Sequence, residues 1–91
     1  MTIKLDNGFV CEVAPEVLAD YEVLEDLVDM EQGHPEYTVK VARRLLSPDD
    51  LQRLKDTCRN ESGRVDMVAM FASIKGIIDP LGRKDEQTKK S

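Results

Sequence analysis

The sequence predicts a mainly α-helical domain: an N-terminal β-hairpin at about 2–5 and 9–13, then four helices at about 15–31, 36–46, 48–59 and 66–79. Three observations carry this. Met67, Met70, Phe71, Ile74, Ile77, Ile78 and Leu81 recur at spacings of three and four, one face of a helix. Ser47-Pro48-Asp49-Asp50 is a helix start, with a capping serine, proline at the first position and a carboxylate three after the cap. Period-two alternation is confined to the first residues, around Asp6-Asn7-Gly8. At 91 residues the chain makes one small domain over 1–82, followed by a disordered tail over 83–91 that holds no apolar residue.

The hairpin loop is fixed by which faces it brings together. A two-residue Asn7-Gly8 turn pairs Ile3 with Glu12 and Lys4 with Cys11, mixing apolar and polar faces. A three-residue loop with Gly8 left-handed pairs Leu5 with Phe9, Ile3 with Cys11 and Met1 with Val13. All six then share one face, so the longer loop is expected. A lone hairpin is marginal in water and needs helices, or another copy, beneath it.

Pro15 and Glu16 open the first helix. Its expected core face is Val17, Leu18, Tyr21, Leu24 and Val28, with Val23, Leu27 and Met30 as a flanking row. Its polar face is wholly acidic, which calls for nearby bases, a partner or full solvation. Gly33-His34-Pro35 separates it from the second helix, where Tyr37, Val41, Ala42, Leu45 and Leu46 face inward and Lys40, Arg43 and Arg44 face out. Leu51, Leu54 and Cys58 give the third helix a short apolar face. The last helix is the central strut, stopped at Asp79-Pro80 and Gly82. Opposite its apolar face runs a stripe of small residues, Ala69, Ala72, Ser73 and Gly76. That stripe suits close approach by another copy or partner, or equally packing under the chain's own hairpin or first helix.

Charge is uneven. Residues 1–36 hold ten acids and one base, a net −9, while residues 37–91 hold eight acids and twelve bases, a net +4. The halves can attract one another on folding, or meet charged partners. There is no run of apolar residues long enough to span a membrane, and the N-terminus lacks the pattern of a signal peptide. Cys11 and Cys58 have no metal-ligand spacing and read as free thiols of a reducing compartment. The acids of the first helix lack the glycine-bearing turn of a calcium loop, and the scattered glycines form no phosphate loop. No nucleophile, base and stabiliser can be assembled, so no enzyme and no cofactor are expected. Arg43, Arg44, Arg53, Lys55, Arg59 and Arg64 around the second and third helices suggest a helix-turn-helix nucleic-acid reader. Asp49, Asp50, Asp56 and a net charge of −5 argue against it.

The chain resembles the small tail assembly chaperones of long-tailed bacterial viruses and prophages. The resemblance runs over roughly residues 2–82. It lies in the Asn-Gly-Phe hairpin with Glu12-Val13 and in the acidic helix from Val17 to Leu27. It continues in Val41-Ala-Arg-Arg-Leu-Leu46 with Ser47-Pro-Asp-Asp-Leu51, and in Glu61-Ser-Gly-Arg-Val65 before the last helix. It implies a non-enzymatic protein of the bacterial host cytoplasm. Such a protein holds the long, helical tape-measure protein until tail-tube subunits polymerise around it. It also implies a second, longer product made by ribosomal slippage, which Thr88-Lys89-Lys90 permits through adenine-rich lysine codons. The partner surface expected on this reading is the Val23/Leu27/Met30 row together with Met67, Met70 and Phe71. Self-association is expected through Ala69, Ala72, Ser73 and Gly76. A helical adaptor or regulator of viral origin with a different partner is the alternative.

Overall fold

The computed structural model describes the backbone to Lys90 and the side chains of residues 1–81. The elements are β1 (Thr2–Lys4), β2 (Val10–Glu12), a 3-10 segment (Pro15–Ala19), α1 (Tyr21–Glu31), α2 (Glu36–Leu45), α3 (Pro48–Thr57) and α4 (Met67–Lys90). The hairpin-plus-four-helix order is therefore the one expected.

The hairpin has the three-residue loop. Ile3 pairs with Cys11, Thr2 with Glu12 and Lys4 with Val10. Leu5 N donates to Phe9 O at 2.9 Å, Gly8 N donates to Leu5 O at 3.0 Å, and Gly8 sits at φ 92°. Ile3, Phe9, Cys11 and Val13 are buried on the face chosen by register. That face lies on α4.

The first helix is not one piece. Asp20 is extended (φ −81°, ψ 118°), so the 3-10 segment ends there and α1 restarts with Asp20 as its cap, its carboxylate accepting from Glu22 N at 2.9 Å. The restart decides which row faces in. Val23 and Met30 are each 1% exposed and Leu27 is half-buried, whereas Tyr21, Leu24 and Val28 are 73%, 43% and 54% exposed. The expected core and flanking rows of this helix exchange places from Tyr21 onward. Asp26 turns in with Val23 and Met30 and accepts from Arg44 on α2.

Ser47 caps α3 as its sequence signal requires, accepting from Asp50 N at 3.2 Å. Asn60 organises the loop before α4: its side-chain oxygen accepts from the backbone N–H groups of Ser62 and Arg64 at 3.0 and 3.2 Å. Ile74, Ile77 and Leu81 of α4 are buried in one core with the hairpin and with Met30, Val41, Leu45, Leu46, Leu54 and Cys58. Pro80 lies inside α4 rather than ending it. It removes one backbone donor, but burial of Leu81 just beyond it holds the helix against the core. The loose tail expected over 83–91 lies outside the residues whose side chains are described.

Candidate functional site

A groove with a volume of about 450 Å³ lies between α2, α3 and the start of α4. Its placement follows from helical periodicity. Thr38, Val39 and Ala42 come from one side of α2, Leu51 and Lys55 from α3, and Met67 and Met70 from consecutive turns of α4. Val65, at the end of the Asn60 loop, also lines it. The floor is apolar. Val39 and Met67 at its edge are 47% and 42% exposed, high for large apolar side chains.

Two polar features distinguish the groove from a packing defect. Arg43, Lys55 and Arg59 lie along its rim. Arg59 is occupied by Asp56 at 3.0 Å, whereas Arg43 and Lys55 form no ion pair among the described residues. Thr38 is 2% exposed and its Oγ1 has no hydrogen-bond partner among the described residues. A buried hydroxyl without a partner is costly. A ligand side chain entering the groove is one way to satisfy it.

The sequence-derived candidates fall into three groups. Met67 and Met70 line the groove. Phe71 is half-buried and packs against the core instead. The Val23/Leu27/Met30 row is part of the interior and is not available to a partner in this conformation. Its expected role as a docking surface is corrected by the phase of α1, which turns Tyr21, Leu24 and Val28 outward to line a shallow depression with Glu25 and Asp29. The small-residue stripe meets the hairpin tip, and Ala69, Ala72, Ser73 and Gly76 line a shallow depression with Leu5, Asp6 and Asn7. Asn7 Nδ2 donates to Ser73 Oγ at 3.2 Å, and a Cβ on Gly76 would stand 3.0 Å from Leu5 Cδ2. Ala72 alone of the four is exposed. Packing under the chain's own hairpin, one of the two readings of the stripe, thus accounts for Ser73 and Gly76.

Sequence reasoning missed Thr38, Val39, Leu51 and Val65 as groove residues, and Tyr21, Leu24 and Val28 as an exposed row. One signal was present. Val39 is an apolar residue beside Lys40 and Arg43 on the face of α2 otherwise read as polar.

Arg44, Arg53 and Arg59, three of the basic residues around the α2–α3 turn, are paired with Asp26, Asp50 and Asp56. Among the described residues no group of three or more His, Cys, Asp or Glu side chains is placed to hold a metal ion. No helix among them is long and apolar enough to cross a membrane. Comparison with protein-family models, curated proteins and solved structures returns no match.

Proposed function

We propose that this chain is a non-enzymatic tail assembly chaperone of a long-tailed bacterial virus or prophage, acting in the host cytoplasm on the tape-measure protein. The observation that carries the binding role is the apolar-floored groove between α2, α3 and α4, open to solvent and edged by Met67 and Val39. An amphipathic helix of a long helical protein docks in such a groove through anchors at helical spacing. Methionines on the wall adapt to the varied side chains that a long rod presents in turn. The identity of the partner rests on the resemblance in residues 2–82, from the Asn-Gly-Phe hairpin to Glu61-Ser-Gly-Arg-Val65.

The test is co-expression of the native gene, with its downstream DNA, alongside the neighbouring long helical protein. Retention of that protein is expected, with two products by intact mass that share their N-terminal residues. Met70→Glu in the groove should abolish retention, while Val68→Glu, on an exposed position of the same helix, should preserve it. A single product that retains nothing would replace this reading with the helical adaptor.

A further inference from the structure

The most unusual surface outside the groove is the outer face of α1. A helix buries one apolar stripe and solvates the rest, yet α1 carries two. Val23, Leu27 and Met30 enter the core, and Tyr21, Leu24 and Val28 stand in solvent on a separate face. The outer row is flanked by Glu22, Glu25 and Asp29. An uncovered apolar row of this kind marks an interaction surface.

The groove is its complement. It presents an apolar floor where α1 presents an apolar row. Arg43 and Lys55 stand at its edge without ion pairs among the described residues, where α1 brings carboxylates. Its buried Thr38 Oγ1 has no partner among the described residues, and the α1 row begins at Tyr21, a residue 73% exposed. The two surfaces cannot meet within one chain, because α2 stands between them. Arg44 of α2 reaches α1 through Asp26, while its neighbour Arg43, about 100° further round the helix, lines the groove.

We infer that α1 of one copy docks, outer row first, into the α2/α3/α4 groove of a second copy. The interface is head-to-tail, since each chain offers a different surface to each neighbour. Such a contact generates rings if the rotation closes and open filaments if it does not. The apolar row supplies the affinity and the facing charges steer the encounter and fix the register. The inference rests on this chain's own two faces and is independent of the tail-chaperone reading. It also makes the groove a shared site, so that a helix captured from another protein displaces the neighbouring copy.

The test uses the full chain and two double variants placed at exposed or half-exposed positions. Leu24→Glu with Val28→Glu removes the row; Arg43→Glu with Lys55→Glu reverses the rim. Circular dichroism confirms that each variant folds. Sedimentation equilibrium is then run from about 10 μM to about 1 mM, the range in which a small interface is populated. The wild-type mass is expected to rise with concentration, and less so at high salt. Each variant alone should stay at the mass of one chain. An equimolar mixture should reach twice that mass and stop, because one intact row meets one intact groove and no second interface remains. A wild type that stays monomeric throughout, a variant that assembles like the wild type, or a mixture that stays monomeric would each overturn the inference.

Discussion

Arg44 on α2 donates from Nε to Asp26 Oδ2 on α1 at 2.8 Å, joining the acidic helix to the basic one that follows it. The pair is asymmetric: the arginine side chain is 37% exposed and the carboxylate 12%. Removing either partner leaves the other uncompensated, and the cost depends on how far water can reach it. Arg44→Ala strands a nearly buried carboxylate and is expected to cost about 2–3 kcal/mol. Asp26→Ala leaves a guanidinium that water can hydrate and should cost about 1 kcal/mol. Urea unfolding reads both as shifted midpoints at unchanged slope.

The phase of α1 gives a sharper comparison between two identical side chains. Val23 is 1% exposed and Val28 54% exposed on the same helix. Val23→Ala opens a void in the core and should cost about 1–3 kcal/mol. Val28→Ala removes surface atoms and should fall within about 0.5 kcal/mol of wild type. Equal losses at the two sites would mean that α1 is turned differently.

These two helices also mark where sequence reasoning carries and where it stops. The hairpin register was legible because a one-residue slip moves every side chain to the other face, and only one loop length keeps Ile3, Cys11, Phe9 and Val13 together. The start of α3 was legible because a Ser-Pro-Asp-Asp cap is a local signal. α1 was not, because it carries two apolar rows and periodicity weights them alike. The choice is made by the break at Asp20 and by distant partners, Arg44 for Asp26 and Lys75 for Glu31. The groove was half legible: Met67 and Met70 were visible as a surface, but their neighbours Thr38, Val39 and Leu51 come from two other helices. No local pattern records how those helices cross.

Gly8 tests the loop. It stands at φ 92°, with open space where a Cβ would be, so the penalty for a side chain is purely one of backbone conformation. Gly8→Ala should cost about 1–2 kcal/mol. Gly8→Asn should recover part of it, because asparagine tolerates the left-handed region. The comparison is made by thermal unfolding, and an alanine variant as stable as the wild type would rule out the three-residue loop.

Gly76 tests how closely α4 approaches the hairpin. Alanine there gains about 1 kcal/mol of helix propensity but places its Cβ 3.0 Å from Leu5 Cδ2, the far end of a flexible side chain. The two effects nearly cancel, and Gly76→Ala should lie within about 0.5 kcal/mol of wild type. Gly76→Leu cannot be absorbed by a small shift of Leu5. It should cost about 1–3 kcal/mol by overpacking, with faster hydrogen exchange in β1 and β2 than in α2 and α3.

The pH dependence of stability follows from groups at the hairpin and on α3. Burial, reinforced by the nearby Asp50 carboxylate, pushes the Cys11 thiol above its ordinary value. The folded protein then holds that proton more tightly than the unfolded chain does. The contribution is complete below the unfolded thiol pKa and is lost as pH rises through the folded value. The carboxylates behave oppositely. Glu12, accepting from the Thr2 hydroxyl, and Asp56, accepting from Arg59, are both held below the usual carboxylate range. Their contribution is present above the unfolded carboxylate pKa and lost as pH falls through the lowered values. Stability should therefore fall off on both sides of neutrality. Glu12→Gln with Asp56→Asn should flatten only the acid side. At pH 8 Cys11 should react with iodoacetamide more slowly in the native protein than in urea, since the thiolate is the reactive form. Equal alkylation rates in the two states would contradict the burial that raises this thiol.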